Sequence, residues 1–371
     1  MRLSELYKFK EFQKNKGSEP QKPKESAYAK PPPPETLKPA QEPAPQIDLD
    51  AADARPQEIY SDLIRLTRGL LSGLARQPVR MPDLEAICEV MDKVIEALER
   101  NPFPLLELSG RSTLEDYLPG HIANVTLLSL FLAQELQWSK EVRRAVGVGA
   151  FLHDAGMGFL RPPYNDSRLP SFEENKRTAP LSQECLKILN DFLSSLAAPS
   201  KTIIETIVMQ TQERISGKGH PKGLQGDQIS KEAQLVGICD AFEALSHPRP
   251  YQGARIPHDA LRHMIGLSGE SFDSQLIKKL WESLTLFPPG SFIRLNTGET
   301  AKILRINKSV PTRPLVAVIA SAGGQRVDGE KILDLSRAPD IVIEKALDEC
   351  SLKLEDPRLA LELRAQKWWV S

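Results

Sequence analysis

The sequence predicts a mainly α protein, a helical bundle followed by a small C-terminal antiparallel β appendage. Three observations carry that expectation. Between residues 57 and 286, apolar residues recur at helical spacing in one stretch after another, with breaks at Pro162-Pro163, Pro170, Pro199, the glycine-rich segment 217–226 and Pro248-Arg-Pro250. After Pro288-Pro-Gly290 the pattern changes to short strand-like runs. Before residue 51 the chain is rich in proline and poor in large apolar groups, so it cannot offset its own ordering entropy with a core.

Taken in order, residues 1–50 read as a flexible, partly extended tether, with Pro-Lys-Pro-Lys and Pro-Pro-Pro-Pro-Glu inside 14–45. Leu3, Leu6, Tyr7, Phe9 and Phe12 make the first twelve residues either a short docking segment or a frayed terminus. The region 51–105 is expected to be helical. Tyr60, Leu63, Ile64, Leu70, Leu71 and Leu74 mark one stripe, with Thr67 on it, and Leu84, Ile87, Val90, Met91, Val94 and Leu98 mark the next. Neither carries a chemical cluster, so both read as a packing layer that ends at Asn101-Pro-Phe-Pro104. The body of the bundle spans 111–286. In it His121 opens an apolar helix for which Pro119 and Gly120 suit the start. Ser139 can cap the following helix, whose Val142, Ala145, Val146, Ala150 and Leu152 carry the chain inward until Gly156 breaks it.

Helix candidates at 181–196, 201–213 and 233–245 complete the bundle. Strands follow at 291–295, 299–306 and 314–320, with Asn296-Thr-Gly298 as a turn. The region 287–350 is expected to close with a helix after these strands. The tail 351–371, with Trp368 and Trp369, suits a cover over an apolar surface.

Chemistry concentrates where an apolar helix ends in His153-Asp154. A carboxylate delivered half buried is costly unless it is paired or coordinates a cation, and an adjacent imidazole makes a metal the simplest partner. The alternative is a buried histidine bonded to its own neighbour. His121 on a second helix, and Asp240 interrupting the apolar pattern of a third, extend the set to two nitrogens and two carboxylates. Such a set suits one divalent metal among Fe, Mn, Co, Zn and Mg, or an empty site.

Composition narrows the function classes. Lysine and arginine number 48 against 49 acids in 371 residues, which gives no electrostatic case for binding nucleic acid or a membrane surface. Cys88, Cys185, Cys239 and Cys350 lie far apart and form no zinc-thiolate pattern. No signal peptide or run of 18 apolar residues is seen, so the expected compartment is cytoplasmic.

The His121, His153-Asp154 and Asp240 set resembles the metal-binding pattern of the HD phosphohydrolase superfamily. The resemblance narrows to the HD-GYP type of cyclic dinucleotide phosphodiesterase through Gly217-Lys-Gly-His-Pro-Lys-Gly-Leu-Gln-Gly226, Asp240-Ala-Phe-Glu-Ala-Leu245, Arg249-Pro-Tyr251, Ser271-Phe-Asp273, Pro289-Gly290, Asn296-Thr-Gly-Glu299 and Arg313-Pro314. It covers about 111–350 and implies an HD-type helical bundle, with His121, His153, Asp154 and Asp240 as metal ligands and Asp154 in the catalytic position of any active enzyme. The loop residues Gly217, Lys218, Gly219, His220 and Pro221, with Arg249, are implied as a ligand or partner loop. In relatives this loop is linked to diguanylate cyclase domains. Its amides could contact phosphate, with Lys218, Lys222, Arg214 and Arg249 as local cations; the plainer reading is a tight helix connection.

The same comparison marks what is missing. The family's lysine after His-Asp-x-Gly is Met157, its paired histidines fall on Thr211 and Gln212, the region of a further histidine reads Arg177-Thr-Ala179, and Gly-Tyr-Pro has become Gly219-His220-Pro221. The resemblance therefore implies a degenerate HD-GYP-type protein in cyclic di-GMP signalling, a binding or interaction module with weak or no phosphodiesterase activity. The competing readings are a single-metal phosphohydrolase acting on cyclic di-GMP or another nucleotide, and a structural scaffold. Implied partners are a cyclic dinucleotide or nucleotide and a protein such as a diguanylate cyclase domain. Oligomeric state is left open.

Overall fold

A computed structural model describes residues 55–76, 78–109, 117–159, 188, 190–247, 255, 257–284, 290–307, 310 and 312–347. The expectations for residues 1–50, half of the helix at 181–196, and the tail 351–371 lie outside these residues, as do Ala179 and Arg249.

Helices α1 (Arg55–Leu74), α2 (Leu84–Arg100) and α3 (Phe103–Ser109) are followed by α4 (Tyr117–Glu135) and α5 (Lys140–Leu152). Then come a 3-10 turn (Ala155–Phe159), α6 (Ala198–Gln210), α7 (Lys231–Ser246), α8 (Pro257–Gly266) and α9 (Ser274–Leu284). α4 and α7 form the centre. Every residue of α4 from Tyr117 to Ala133, and of α7 from Ala233 to Leu245, is buried, so each helix is apolar nearly all round and packs on several neighbours. α4 begins at Tyr117, a turn earlier than the sequence suggests. Pro119 and Gly120 therefore sit inside its first turn, where the missing proline N–H costs no helical bond.

Side-chain caps start α5 and α7. Ser139 Oγ accepts the Val142 amide at 3.3 Å and Ser230 Oγ that of Ala233 at 3.1 Å. Two glycines set close helix approaches: a Cβ on Gly149 would meet Ile207 Cδ1 at 2.7 Å, and one on Gly237 would lie 2.7 Å from the Thr211 carbonyl oxygen. α5 is thereby pressed on α6, and α7 on the turn after α6.

The appendage has β1 (Phe292–Leu295), β2 (Thr300–Arg305), β3 (Leu315–Ala320), β4 (Arg326–Asp334) and β5 (Ile343–Leu347), all antiparallel, in the order β4-β3-β2-β1-β5. The first three strands match the sequence reading. The helix expected after them is not found in residues 321–347, which form β4, a turn and β5. Strand propensity there is weak, and pairing supplies the order. β4 completes the β3 edge, and β5 returns to pair with β1. The Arg313 guanidinium holds the link between β4 and β5 by donating to the carbonyls of Leu335 at 3.0 Å and Ala338 at 3.1 Å. One face buries Ile293, Leu295, Ala301, Ile303, Val316, Val318 and Leu335. Lys302 on β2 bonds Glu107 on α3 at 2.5 Å and ties sheet to bundle.

Phe151, fully buried two residues before His153, anchors the end of α5. Phe151→Ala is expected to cost about 3–5 kcal/mol, read as a lower urea midpoint with an unchanged slope. A loss under about 1 kcal/mol would contradict this packing.

Candidate metal centre

Three helices converge on one point. α4 supplies His121, the end of α5 supplies His153 and Asp154, and α7 supplies Asp240. Ligand atoms of His121, His153 and Asp240 all lie within 4.8 Å of one another, and all three residues are buried. His121 Nε2 is 3.3 Å from Asp240 Oδ1 and 3.6 Å from Asp154 Oδ2. His153 Nε2 is 3.7 Å from the same Asp154 oxygen, and the Asp154 side chain, 27% exposed, forms the rim.

Both imidazoles are turned by what binds their other nitrogen. His153 Nδ1 lies 2.6 Å from the Ala150 carbonyl and donates to it, and His121 Nδ1 donates to the carboxylate of Glu243. Each Nε2 is then the inward-facing atom, and both are buried without a hydrogen-bond partner. At 3.7 Å His153 is too far from Asp154 for a hydrogen bond, so the bonded-neighbour alternative does not hold. Two orphaned imidazole nitrogens beside carboxylates, each backed by an acceptor, are the arrangement that a divalent ion satisfies. The donor set fits the metal. Within the described residues it is a single candidate centre.

The electrostatics agree. Burial, the largest single influence, disfavours a charged His121, but Glu243, Asp154 and Asp240 together outweigh it and raise the imidazole well above its usual pKa. Burial likewise pushes both acids up, while His121 outweighs it at Asp240 and His153 and His121 do so at Asp154. Asp240 is held well below the ordinary carboxylate range and Asp154 below it. Without a metal, a proton on His121 supplies a cation beside these carboxylates.

The positions of the family's missing groups are filled by neutral ones. Thr211 is buried and turns its hydroxyl to its own helix, donating to the Ile207 carbonyl. Gln212 donates its amide to Asp240 Oδ2 at 3.0 Å and so occupies the carboxylate oxygen that does not face His121. Met157 follows Asp154 with no charge to offer. Cys239, next to Asp240, is fully buried with its thiol pushed up to about 12 by burial, and it packs as a small apolar group.

Of the two readings of the glycine loop, its hydrogen bonds favour the tight helix connection. Its amides are already used: Lys222 and Gly223 donate to Glu213 Oε1 at 2.7 and 3.2 Å, Leu224 donates to Glu213 Oε2 at 3.1 Å, and the His220 amide donates to the Gln212 carbonyl at 3.2 Å. Glu213 is buried, so the chain's own carboxylate accepts from these three amides. Gly219 permits this, since a Cβ there would lie 2.2 Å from the Arg214 amide nitrogen, and Gly217 turns with φ 75°. The His220–Pro221 bond is cis. Arg214 is no surface cation either. It is buried, donates to the Thr211 and Glu213 carbonyls and lies 4.9 Å over the Phe272 ring. Lys218 extends outward, 3.7 Å from Glu270, and Lys222 is exposed.

Three site residues escape the sequence reading. Glu243 backs His121, Asn124 donates to Glu243 Oε1 at 3.2 Å, and Tyr60 donates to Asn124 Oδ1 at 2.7 Å. The first two had a signal. Glu243 stands three residues after Asp240 and Asn124 three after His121, so each shares a helix face with a ligand.

A family profile described as HD domain matches residues 58–276, taking in α1 to α3, and one described as KOW domain associated with HD domain matches 292–355. Cyclic di-GMP phosphodiesterase PA4108 of Pseudomonas aeruginosa is 27% identical over 251 residues, 67% of this chain and 59% of that protein. Cyclic di-GMP phosphodiesterase PdeB of Borreliella burgdorferi is 24% identical over 242 residues, 63% and 61% respectively. The chain thus spans about three fifths of these relatives. Among solved structures, Bd1817, an HDG"Y"P protein from Bdellovibrio bacteriovorus, aligns over 63% of this chain and 73% of that one, with 18% identity and a TM-score of 0.45.

Two outcomes follow from this geometry. A metal must displace the proton at His121 Nε2, so Mn²⁺ affinity measured by titration calorimetry should fall with pH, by up to about tenfold per pH unit below the raised His121 pKa. A pH-independent affinity would contradict it. Glu213→Ala strips the loop of its internal anion, and hydrogen exchange at the Lys222, Gly223 and Leu224 amides should accelerate by about tenfold or more; unchanged exchange would show that the carboxylate does not hold the loop.

Proposed function

The chain belongs to the HD domain family, and from that premise we propose that it is a degenerate HD-GYP-type protein of cyclic di-GMP signalling, a binding or interaction module with weak or no phosphodiesterase activity. One observation carries the reading. Asp240 has one oxygen toward His121 and the other engaged by Gln212, while Thr211 is bonded to its own helix, so the described ligand set would hold a single ion.

His121, His153 and Asp240 hold that ion in this reading, with Asp154 as a fourth ligand at the rim. Once bound, a divalent metal supplies Lewis acidity and lowers the pKa of a coordinated water. The protein's own contribution is what is reduced. Met157 cannot neutralise a phosphate oxygen, and Gln212 gives Asp240 a neutral partner where a second cation would add transition-state stabilisation. Asp154, ionised and partly exposed, is the acceptor at the mouth, able to orient a substrate hydroxyl or water. The partner is a cyclic dinucleotide or nucleotide, the ligand class named for the relatives. For a protein partner, the exposed side chains of the 217–226 loop, rather than its amides, are the available contacts.

A second reading, a single-metal phosphohydrolase, draws on the orphaned Nε2 atoms of His121 and His153, which keep a metal-competent centre intact. A metal-resolved assay separates the two. Incubated with cyclic di-GMP, its linear dinucleotide and simple nucleotides, with Mg, Mn, Fe, Co or Zn in turn, the protein should turn over cyclic di-GMP far more slowly than about 1 per second. Faster turnover that Asp154→Ala abolishes would reject the degenerate reading in favour of the hydrolase.

A further inference from the structure

The polar chain behind His121 begins on a helix that carries no ligand. Tyr60 on α1 is 3% exposed, and its hydroxyl meets Asn124 Oδ1 at 2.7 Å. Asn124 is fully buried one turn after His121 on α4, and its amide nitrogen meets Glu243 Oε1 at 3.2 Å. The other oxygen of Glu243 accepts from His121 Nδ1.

Chemistry fixes the direction of every bond. An ionised carboxylate only accepts, so Glu243 must receive both the imidazole N–H and the Asn124 amide hydrogens. The amide oxygen then faces Tyr60, whose hydroxyl must donate. With the Nδ1 proton committed to Glu243, Nε2 is the atom presented to Asp240 and Asp154. We propose that Tyr60 and Asn124 are positioning residues for His121, which makes α1 part of the metal centre. The inference rests on the metal-binding reading of the site and not on the loss of phosphodiesterase activity.

A second contact set points the same way. α1 packs on the 3-10 turn that directly follows Asp154, while Thr67 on the same helix spends its hydroxyl hydrogen on the Ile64 carbonyl of its own helix, 2.7 Å away. One helix thus lies against the segment after His153 and reaches the His121 helix through Asn124. His247 Nδ1 lies 3.4 Å from the same Glu243 Oε1, and its Nε2 reaches the Ser109 carbonyl at 2.7 Å.

The test uses the full chain, with Mn²⁺ as the probe. Tyr60→Phe removes one hydroxyl and leaves the apolar packing, so it should fold. Thr67→Val loosens the same helix seam without touching the polar chain. Tyr60→Phe is expected to bind Mn²⁺ about three- to tenfold more weakly, and Thr67→Val within about twofold of wild type, since partners of metal ligands carry effects of this order or larger. In the metal-free protein the His121 Nδ1 proton resonance should shift, and exchange faster with solvent, in Tyr60→Phe alone. Unchanged affinity with an unmoved resonance in Tyr60→Phe overturns the proposal, as does equal weakening in both variants, which would mean general loosening. If wild type takes up no Mn²⁺, the metal reading fails by itself, and the resonance alone decides: a shift confined to Tyr60→Phe upholds the positioning role, and any other result overturns it.

Discussion

A charged cluster in a dry core is the constraint on which the rest of this structure depends. Asp240 and Glu243 are almost fully buried around one imidazole, with Asp154 at the edge, and isolated carboxylates in such surroundings are costly by several kcal/mol each. They persist because a cation always stands between them, either protonated histidine or metal. The surrounding helices then have to exclude water while keeping every donor aimed. α4 and α7 accordingly place His121, Asn124, Asp240 and Glu243 where they face each other, and are mostly apolar elsewhere.

Close packing transmits this demand outward. Gly149 against Ile207 and Gly237 against the Thr211 carbonyl leave no room for a side chain, so α5, α6 and α7 have little freedom to slide. Gln212 reaches Asp240 from the turn that Gly237 fixes, and the same turn starts the glycine loop through the His220 amide. Ligand, turn and loop are thus one mechanically continuous unit. Gln212 links ligand and loop, its side chain on Asp240 and its carbonyl on the loop.

Much of this was legible in the sequence. The apolar stripes of α1, α2 and α5 follow from period alone, as do the Ser139 cap and the strands β1 to β3. The convergence of His121, His153-Asp154 and Asp240 was readable because polar residues in apolar helices need a reason to be there. What escaped depends on long-range pairing. β5 exists because β1 offers it an edge, and nothing local in Ile343–Leu347 announces that. Tyr60 looked like one more core residue on an amphipathic stripe, since a hydroxyl's partner 64 positions away leaves no local trace. The glycine loop stayed ambiguous for a related reason. Its spacing marks a cradle for an anion, but spacing does not say that Glu213 supplies it.

That internal carboxylate has a consequence for how the loop meets its surroundings. An anion that is part of the chain cannot diffuse away, so the loop keeps its shape whatever the concentration of phosphate or nucleotide outside. Ionic strength acts differently on its two halves: the buried Glu213 contacts are shielded from salt, whereas Lys218 and Lys222 at the surface are screened over about 8–10 Å at physiological salt. Association through this loop would therefore lose speed in high salt without losing the fit.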